Sequence, residues 1–225
     1  MYWINIMKSI SPIFLFLIFL SSCSAIDSSR IAPGYSEAFK ALKNAIVGYE
    51  DALITNELVR NIPYASSTMK IGKGPKGLII LENINSEQLT WVSADGVFLV
   101  TRNGRITKTA GLNNNLIDFN GPSKKKYLLN ELDGTTFTYY LSYDFPYLRN
   151  LEVKAKILNK GKVKVDLLGG EKLLTLIEEE IENEYIGWSE VNKFWIDEDG
   201  YIWKSEQHIS PKVPKIILEV TKKPS

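Results

Sequence analysis

The hydrophobic pattern of the chain falls into three regimes: an unbroken apolar run, a stretch at helical spacing, and a long region of alternation. The first is Ile13 to Leu20, eight consecutive apolar residues behind Lys8 and ahead of small residues. Spanning a bilayer takes roughly 20 apolar residues, so this run is too short for a transmembrane helix and reads as the core of a secretory signal peptide. Tyr2, Trp3, Ile4 and Ile6 are unusual ahead of such a core, and a start at Met7 gives a better-formed signal than Met1. In the second regime, Tyr35, Phe39, Leu42, Ile46, Tyr49 and Leu53 recur at spacings of 4, 3, 4, 3 and 4. That predicts an amphipathic helix with Ser36 as its N-cap, packed on the domain, because five spacings are too few to favour a coiled-coil seam.

From Ser66 onward the period becomes two. Leu78 to Leu81 is a short buried run, and Phe137, Tyr139, Leu141 and Tyr143 alternate with Thr136, Thr138, Tyr140 and Ser142. Leu151, Val153, Ala155 and Ile157 alternate with Glu152, Lys154 and Lys156; the following Asn-Lys-Gly-Lys is expected to turn the chain into a second strand carrying Val163, Val165 and Leu167. Asn103-Gly104 suits a type I′ hairpin turn, since both central positions need positive φ. Further turn signals stand at Asp95-Gly96, Asp133-Gly134, Gly169-Gly170 and Asp199-Gly200. Residues 171–188 are rich in Leu, Glu and Lys and could be helix by propensity, but the flanking turns favour a strand. Long βαβ crossovers have no room. The chain is therefore expected to be mostly β, an antiparallel meander curled into a sandwich or partial barrel, with one N-terminal amphipathic helix. The organisation predicted is a signal peptide over 1–22, a tether over 23–34, and a single β-rich periplasmic domain over 35–225.

Charge narrows the partners. Lys and Arg total 27 against 26 Asp and Glu, which excludes a strongly basic nucleic-acid binder. A single cysteine permits no intramolecular disulfide. That residue, Cys23, could in principle be a nucleophile, a metal ligand, a core residue or an attachment point. Leu20-Ser21-Ser22-Cys23 matches the bacterial lipobox, an aliphatic residue and two small ones before a cysteine. The thiol takes a diacylglycerol as a thioether, cleavage leaves Cys23 first in the mature chain, and two or more acyl chains give stable anchoring. Lipid attachment at Cys23 is the expectation. Ser24 lacks the aspartate that retains bacterial lipoproteins in the inner membrane, so the periplasmic face of the outer membrane is favoured.

Candidate catalytic chemistry is sparse. His208 is the only histidine; a pairing with Ser205 is conceivable, but no nucleophile-elbow sequence supports it. A zinc site lacks ligands, because His208 is alone and Cys23 is expected to be acylated. Asp197 to Gly200 reads as a turn, since the further oxygen ligands of a calcium loop do not follow. Glu178 to Glu184 places five carboxylates in seven residues, most simply a solvated face. Lys124, Lys125 and Lys126 read most simply as a solvated basic loop, with contact to anionic lipid or polysaccharide as the functional alternative. Five tryptophans and eleven tyrosines could stack sugar rings, although core packing is the stronger reading. No catalytic residue, metal or cofactor is expected.

Trp91-Val-Ser-Ala-Asp95-Gly96 is echoed by Trp195-Ile-Asp-Glu-Asp199-Gly200. With their surroundings (63–81, 91–112 and 192–211), in this order and spacing, these stretches resemble the YjbF/GfcB family of bacterial lipoproteins; the likeness is looser between 113 and 190. The resemblance implies a mostly β fold and a non-enzymatic accessory role in exopolysaccharide or group-four capsule assembly or export. The partners it implies are an outer-membrane β-barrel, soluble periplasmic proteins and polysaccharide itself. Only lipidation at Cys23 transfers to a named residue. Two other functions remain open: a carbohydrate-binding module holding glycan on exposed aromatics, and a glycan-modifying hydrolase with two carboxylates about 5 to 10 Å apart across a cleft.

Overall fold

Alternation over most of the chain produces strands, and strands joined by tight turns produce a meander. A computed structural model describes residues 50–122 and 133–224; these fall within one compact unit, Gly48–Ser225. Among the described residues the elements are one short helix, α1 (Asn56–Asn61), and twelve strands: β1 (Ser66–Ile71), β2 (Gly77–Asn85), β3 (Gln88–Ser93), β4 (Phe98–Arg102), β5 (Arg105–Ala110), β6 (Leu116–Asn120), β7 (Thr136–Tyr143), β8 (Leu148–Leu167), β9 (Gly170–Asn183), β10 (Trp188–Ile196), β11 (Ile202–Gln207) and β12 (Ile216–Lys222). All form one antiparallel sheet ordered β5-β4-β3-β2-β1-β12-β11-β10-β9-β8-β7-β6. Every strand pairs with its neighbour in sequence except across β5 and β6, and β1 pairs with β12. The sheet is thus nearly closed into a barrel, as the partial-barrel reading expected. At the seam between β5 and β6, a side chain stands in for the ladder: Leu116 N donates to Thr109 Oγ1 at 2.9 Å.

The meander fixes two ends. The β1–β2, β3–β4, β5–β6, β7–β8, β9–β10 and β11–β12 connections share one, called here the upper end; the others share the lower end. At the lower end, Asn103 (φ 48°) and Gly104 (φ 75°) make the predicted β4–β5 turn. Inside, alternate residues form the main core, including Ile79, Trp91, Leu99, Ile106, Leu141, Val153 and Ile181.

Residues 159–162 do not reverse the chain as expected. They lie within β8, which runs unbroken for 20 residues. Asn159 Oδ1 accepts from Gly161 N at 2.9 Å, and the positive φ of Gly161 is absorbed as a register shift against β9 between Asn159 and Lys162. A β-bulge of this kind changes which face the following residues occupy. Before it, Leu151, Val153, Ala155 and Ile157 face the barrel interior; after it, Val163 pairs with Leu174 on the outer face. The strand expected over 171–188 is largely β9. Its apolar residues serve both faces: Ile177 and Ile181 point inward, while Leu174 joins Val165, Leu167 and Trp195 in a separate outer cluster.

The tip of the β8–β9 hairpin curls across the outside of β10, β11 and β12. Leu168 N donates to Glu219 Oε1 on β12 at 2.9 Å, and Lys162 pairs with Glu198 at 2.7 Å. Of the predicted amphipathic helix, only Leu53 among its apolar face lies within the described residues; it is non-helical and 88% exposed. Helix α1, begun by Thr55 Oγ1 accepting from Leu58 N, was not anticipated. It buries Val59.

Candidate functional site

A cleft of about 210 Å³ opens at the lower end of the barrel. Its walls come from strands far apart in sequence, because closure through β1 and β12 brings β3 and β4 opposite β11. Ile79, Leu89, Trp91, Leu218 and Val220 supply apolar surface, and Ser67, Thr101 and Ser205 supply hydroxyls. Trp91 is fixed by its Nε1, which donates to Thr101 Oγ1 at 2.9 Å. Tyr201, Trp203 and Lys204 form one rim, facing Glu87 and Asn103 on the other side.

The Tyr201–Trp203 rim is held from outside. Asp197 Oδ1 accepts from Tyr201 N and its Oδ2 from Trp203 Nε1, both at 2.8 Å. Both carboxylate oxygens thus serve the turn, in keeping with the turn read at Asp197–Gly200. The two rings meet edge to face at 5.3 Å. Burial, reinforced by the charge of Asp197, raises the Tyr201 hydroxyl above its ordinary pKa. Lys172 lies 4.2 Å over Trp203, Lys223 lies 4.2 Å over Tyr201, and Lys204 lies 4.9 Å over Trp195. An ammonium over an indole or phenol face is attracted by the ring quadrupole.

The four described tryptophans make no open platform. Trp91, Trp188 and Trp195 are 4%, 7% and 9% exposed, and Trp203 carries a lysine on its face. A sugar stacking on Trp203 must displace that lysine. Within the cleft lining, Glu87 is the only carboxylate among the described residues, so the facing pair of a glycoside hydrolase is not assembled there.

A second polar group lies in the barrel interior. Arg105 on β5 donates to both oxygens of Glu179 on β9, at 3.0 and 2.6 Å. Asn192 on β10 donates a third bond to Glu179 at 2.8 Å. The guanidinium lies 5.3 to 5.5 Å from the rings of Phe119, Tyr139 and Phe194. Burial alone lowers the pKa of Arg105, but the charge and hydrogen bonds of Glu179 outweigh it, and the net shift is upward. Glu179 was read in sequence as part of a solvated acidic face, yet it is fully buried. The reason is parity: Glu179 stands midway between inward-facing Ile177 and Ile181, a signal visible in the sequence. With both oxygens engaged, the pair braces the interior and offers no free base.

The Ser205–His208 pairing is not made. Ser205 Oγ accepts from Gln207 Nε2 at 2.9 Å. Gln207 in turn crosses the barrel, accepting from Ile106 N and donating to Gly104 O. His208 Nε2 instead faces Glu190 Oε2 at 3.4 Å. Burial lowers the His208 pKa, with Glu190 opposing it. Cys23 and Lys124, Lys125 and Lys126 lie outside the described residues.

Comparison with known proteins decides the lineage. Residues 39–220 match the family described as group 4 capsule polysaccharide lipoprotein gfcB, YjbF. The chain belongs to the YjbF family. It is 26% identical over 198 residues to the uncharacterized lipoprotein YjbF of Escherichia coli (strain K12), covering 87% of this chain and 89% of that protein. It is 25% identical over 211 residues to the uncharacterized lipoprotein GfcB of the same strain, covering 92% and 94%. The crystal structure of the hypothetical lipoprotein YmcC from Escherichia coli (K12) shares the fold, with a TM-score of 0.68 at 24% identity over 84% of this chain and 95% of that one.

Proposed function

We propose that the protein is a non-enzymatic lipoprotein, acylated on Cys23 and anchored at the periplasmic face of the outer membrane, that assists assembly or export of a capsule or exopolysaccharide. The observation that carries this reading is the family match, which spans residues 39–220 and belongs to capsule polysaccharide lipoproteins. Two features of the fold support it. Arg105, Glu179 and Asn192 in the interior are engaged with one another, and the lower cleft joins apolar surface to hydroxyls and a lysine-bearing rim. Its partners on this reading are an outer-membrane β-barrel, soluble periplasmic proteins and the passing glycan.

The test is a gene deletion complemented by wild-type or Cys23→Ser protein, with surface polysaccharide quantified, together with crosslinking in the intact envelope. The deletion is expected to reduce surface polysaccharide, and the unacylated variant to restore it poorly. Unchanged polysaccharide together with no crosslinked envelope component sinks the proposal. Direct glycan contact is a second reading, favoured by the cleft at the lower end; Lys204→Glu should then weaken retention of purified polysaccharide.

A further inference from the structure

Three aromatic side chains are more exposed than any others among the described residues: Tyr185 at 95%, Phe145 at 76% and Tyr147 at 60%. All three sit on two turns at the upper end, β7–β8 and β9–β10, whose strands run side by side in the sheet. Ile186 on the second turn is 43% exposed as well. Single exposed apolar residues are ordinary, but clustering at loop tips marks an interaction surface.

The backbone beneath these side chains is pinned. Asp144 Oδ1 accepts from Phe145 N, and Asn114 Nδ2 donates to Phe145 O, both at 2.7 Å. Asn183 Oδ1 accepts from Ile186 N at 3.0 Å. The turns therefore hold their shape without help from the ring side chains, which are presented outward. None of these bonds requires an aromatic residue at 145, 147 or 185.

The chain itself indicates what lies on that side. Asp51 accepts from Lys76 N and pairs with Lys70 Nζ, both at 2.8 Å, and Ala52 N donates to Lys76 O. Lys76 belongs to the β1–β2 connection, so the N-terminal chain joins the barrel at the upper end. The relatives of this chain are lipoproteins, and Asp51 and Ala52 join the barrel at the same end that carries the exposed rings. Residues 23 to 49 can reach at most about 90 Å, so an anchor at Cys23 would not by itself select which face of the barrel meets a membrane; the loop tips are what can fix it. Aromatic rings settle at the bilayer–water boundary, and a neighbouring cation reaches lipid phosphates while its stem stays apolar. Arg149, stacked 5.3 Å over the Tyr147 ring, is placed for that role.

We propose that the upper end of the barrel docks on the lipid surface through the Phe145–Tyr147 and Tyr185–Ile186 turns, turning the cleft at the lower end away from the membrane. The occupant of this surface is the phospholipid headgroup layer. The proposal does not depend on any role in polysaccharide export.

The experiment uses full-length acylated protein reconstituted in phosphatidylethanolamine–phosphatidylglycerol vesicles doped with nitroxide-labelled lipid. Phe145→Cys, Tyr185→Cys and, at the lower end, Asp199→Cys each carry one environment-sensitive fluorophore, with circular dichroism checking the fold. Lipid quenching at least several-fold stronger at 145 and 185 than at 199 is the expected result. Equal quenching at all three positions, or stronger quenching at 199, overturns the proposal. Shielding of positions 145 and 185 in native envelopes, with none in pure lipid vesicles, also overturns it and makes the surface a protein-docking site.

Discussion

Trp91 and Trp195 each stand two residues before a turn built on the same hydrogen bonds. In one, Ser93 N donates to Val97 O and Gly96 N to Ser93 O; in the other, Asp197 N donates to Tyr201 O and Gly200 N to Asp197 O. Even the side-chain clasp repeats, Ser93 Oγ accepting from Val97 N and Asp197 Oδ1 from Tyr201 N. Yet one turn lies at the upper end and the other at the lower. Trp91 points into the barrel and Trp195 points out, where the curled hairpin tip covers it. Equal local chemistry therefore serves two different layers. The turn is written in a few residues, whereas the face is set by strand parity and by what packs over it.

The largest expected effect tests the interior layer. Glu179→Ala leaves Arg105 buried without its counter-charge and should lower stability by about 3–5 kcal/mol in urea denaturation. Trp91→Ala should cost about 3–5 kcal/mol as well, the range for emptying a ring-sized space in a core. Trp195→Ala should cost less, because the hairpin tip can settle onto the vacancy. It should also speed amide exchange at residues 162–175, which Trp91→Ala leaves protected. Equal losses without local loosening at the hairpin remove the distinction between the two layers.

Smaller changes address the turns themselves. Gly96 and Gly200 have φ of +83° and +78°, so alanine at either position should cost a similar amount, about 1–2 kcal/mol. A clear inequality by thermal or urea melting means that surroundings, not the shared turn, set the cost. The smallest effect concerns His208. Its folded pKa lies below the ordinary value of 6.5, through burial. The unfolded chain therefore takes up the proton first, and the contribution of His208, complete above that value, is lost as pH falls towards the folded pKa. His208→Gln should flatten the stability profile just below pH 6.5; an unchanged slope rejects this linkage.

Much of the fold was legible because turns and alternation are local. Asn103-Gly104 makes its hairpin, and Phe137, Tyr139, Leu141 and Tyr143 alternate along β7 as read. Asn159 to Lys162 misled because glycine at positive φ serves a bulge as readily as a reversal, and only pairing with β9 decides between them. Glu179 was hidden by its acidic neighbours, although the isoleucines two residues to either side announced an inward position. The cleft could not be read at all, since its walls meet only through the pairing of β1 with β12. Lipidation at Cys23 and contact through Lys124, Lys125 and Lys126 remain sequence expectations, because those residues lie outside the described structure.

That pairing of first and last strands also governs when the domain can come into being. In any synthesis or translocation that proceeds from N-terminus to C-terminus, β1 pairs with β2 early but waits with its other edge bare until β12 arrives. Over this interval an open strand edge is available to any other extended chain. Joining segments some 150 residues apart is entropically slow. The last strand, seven residues long, acts as the clasp that retires the hazard.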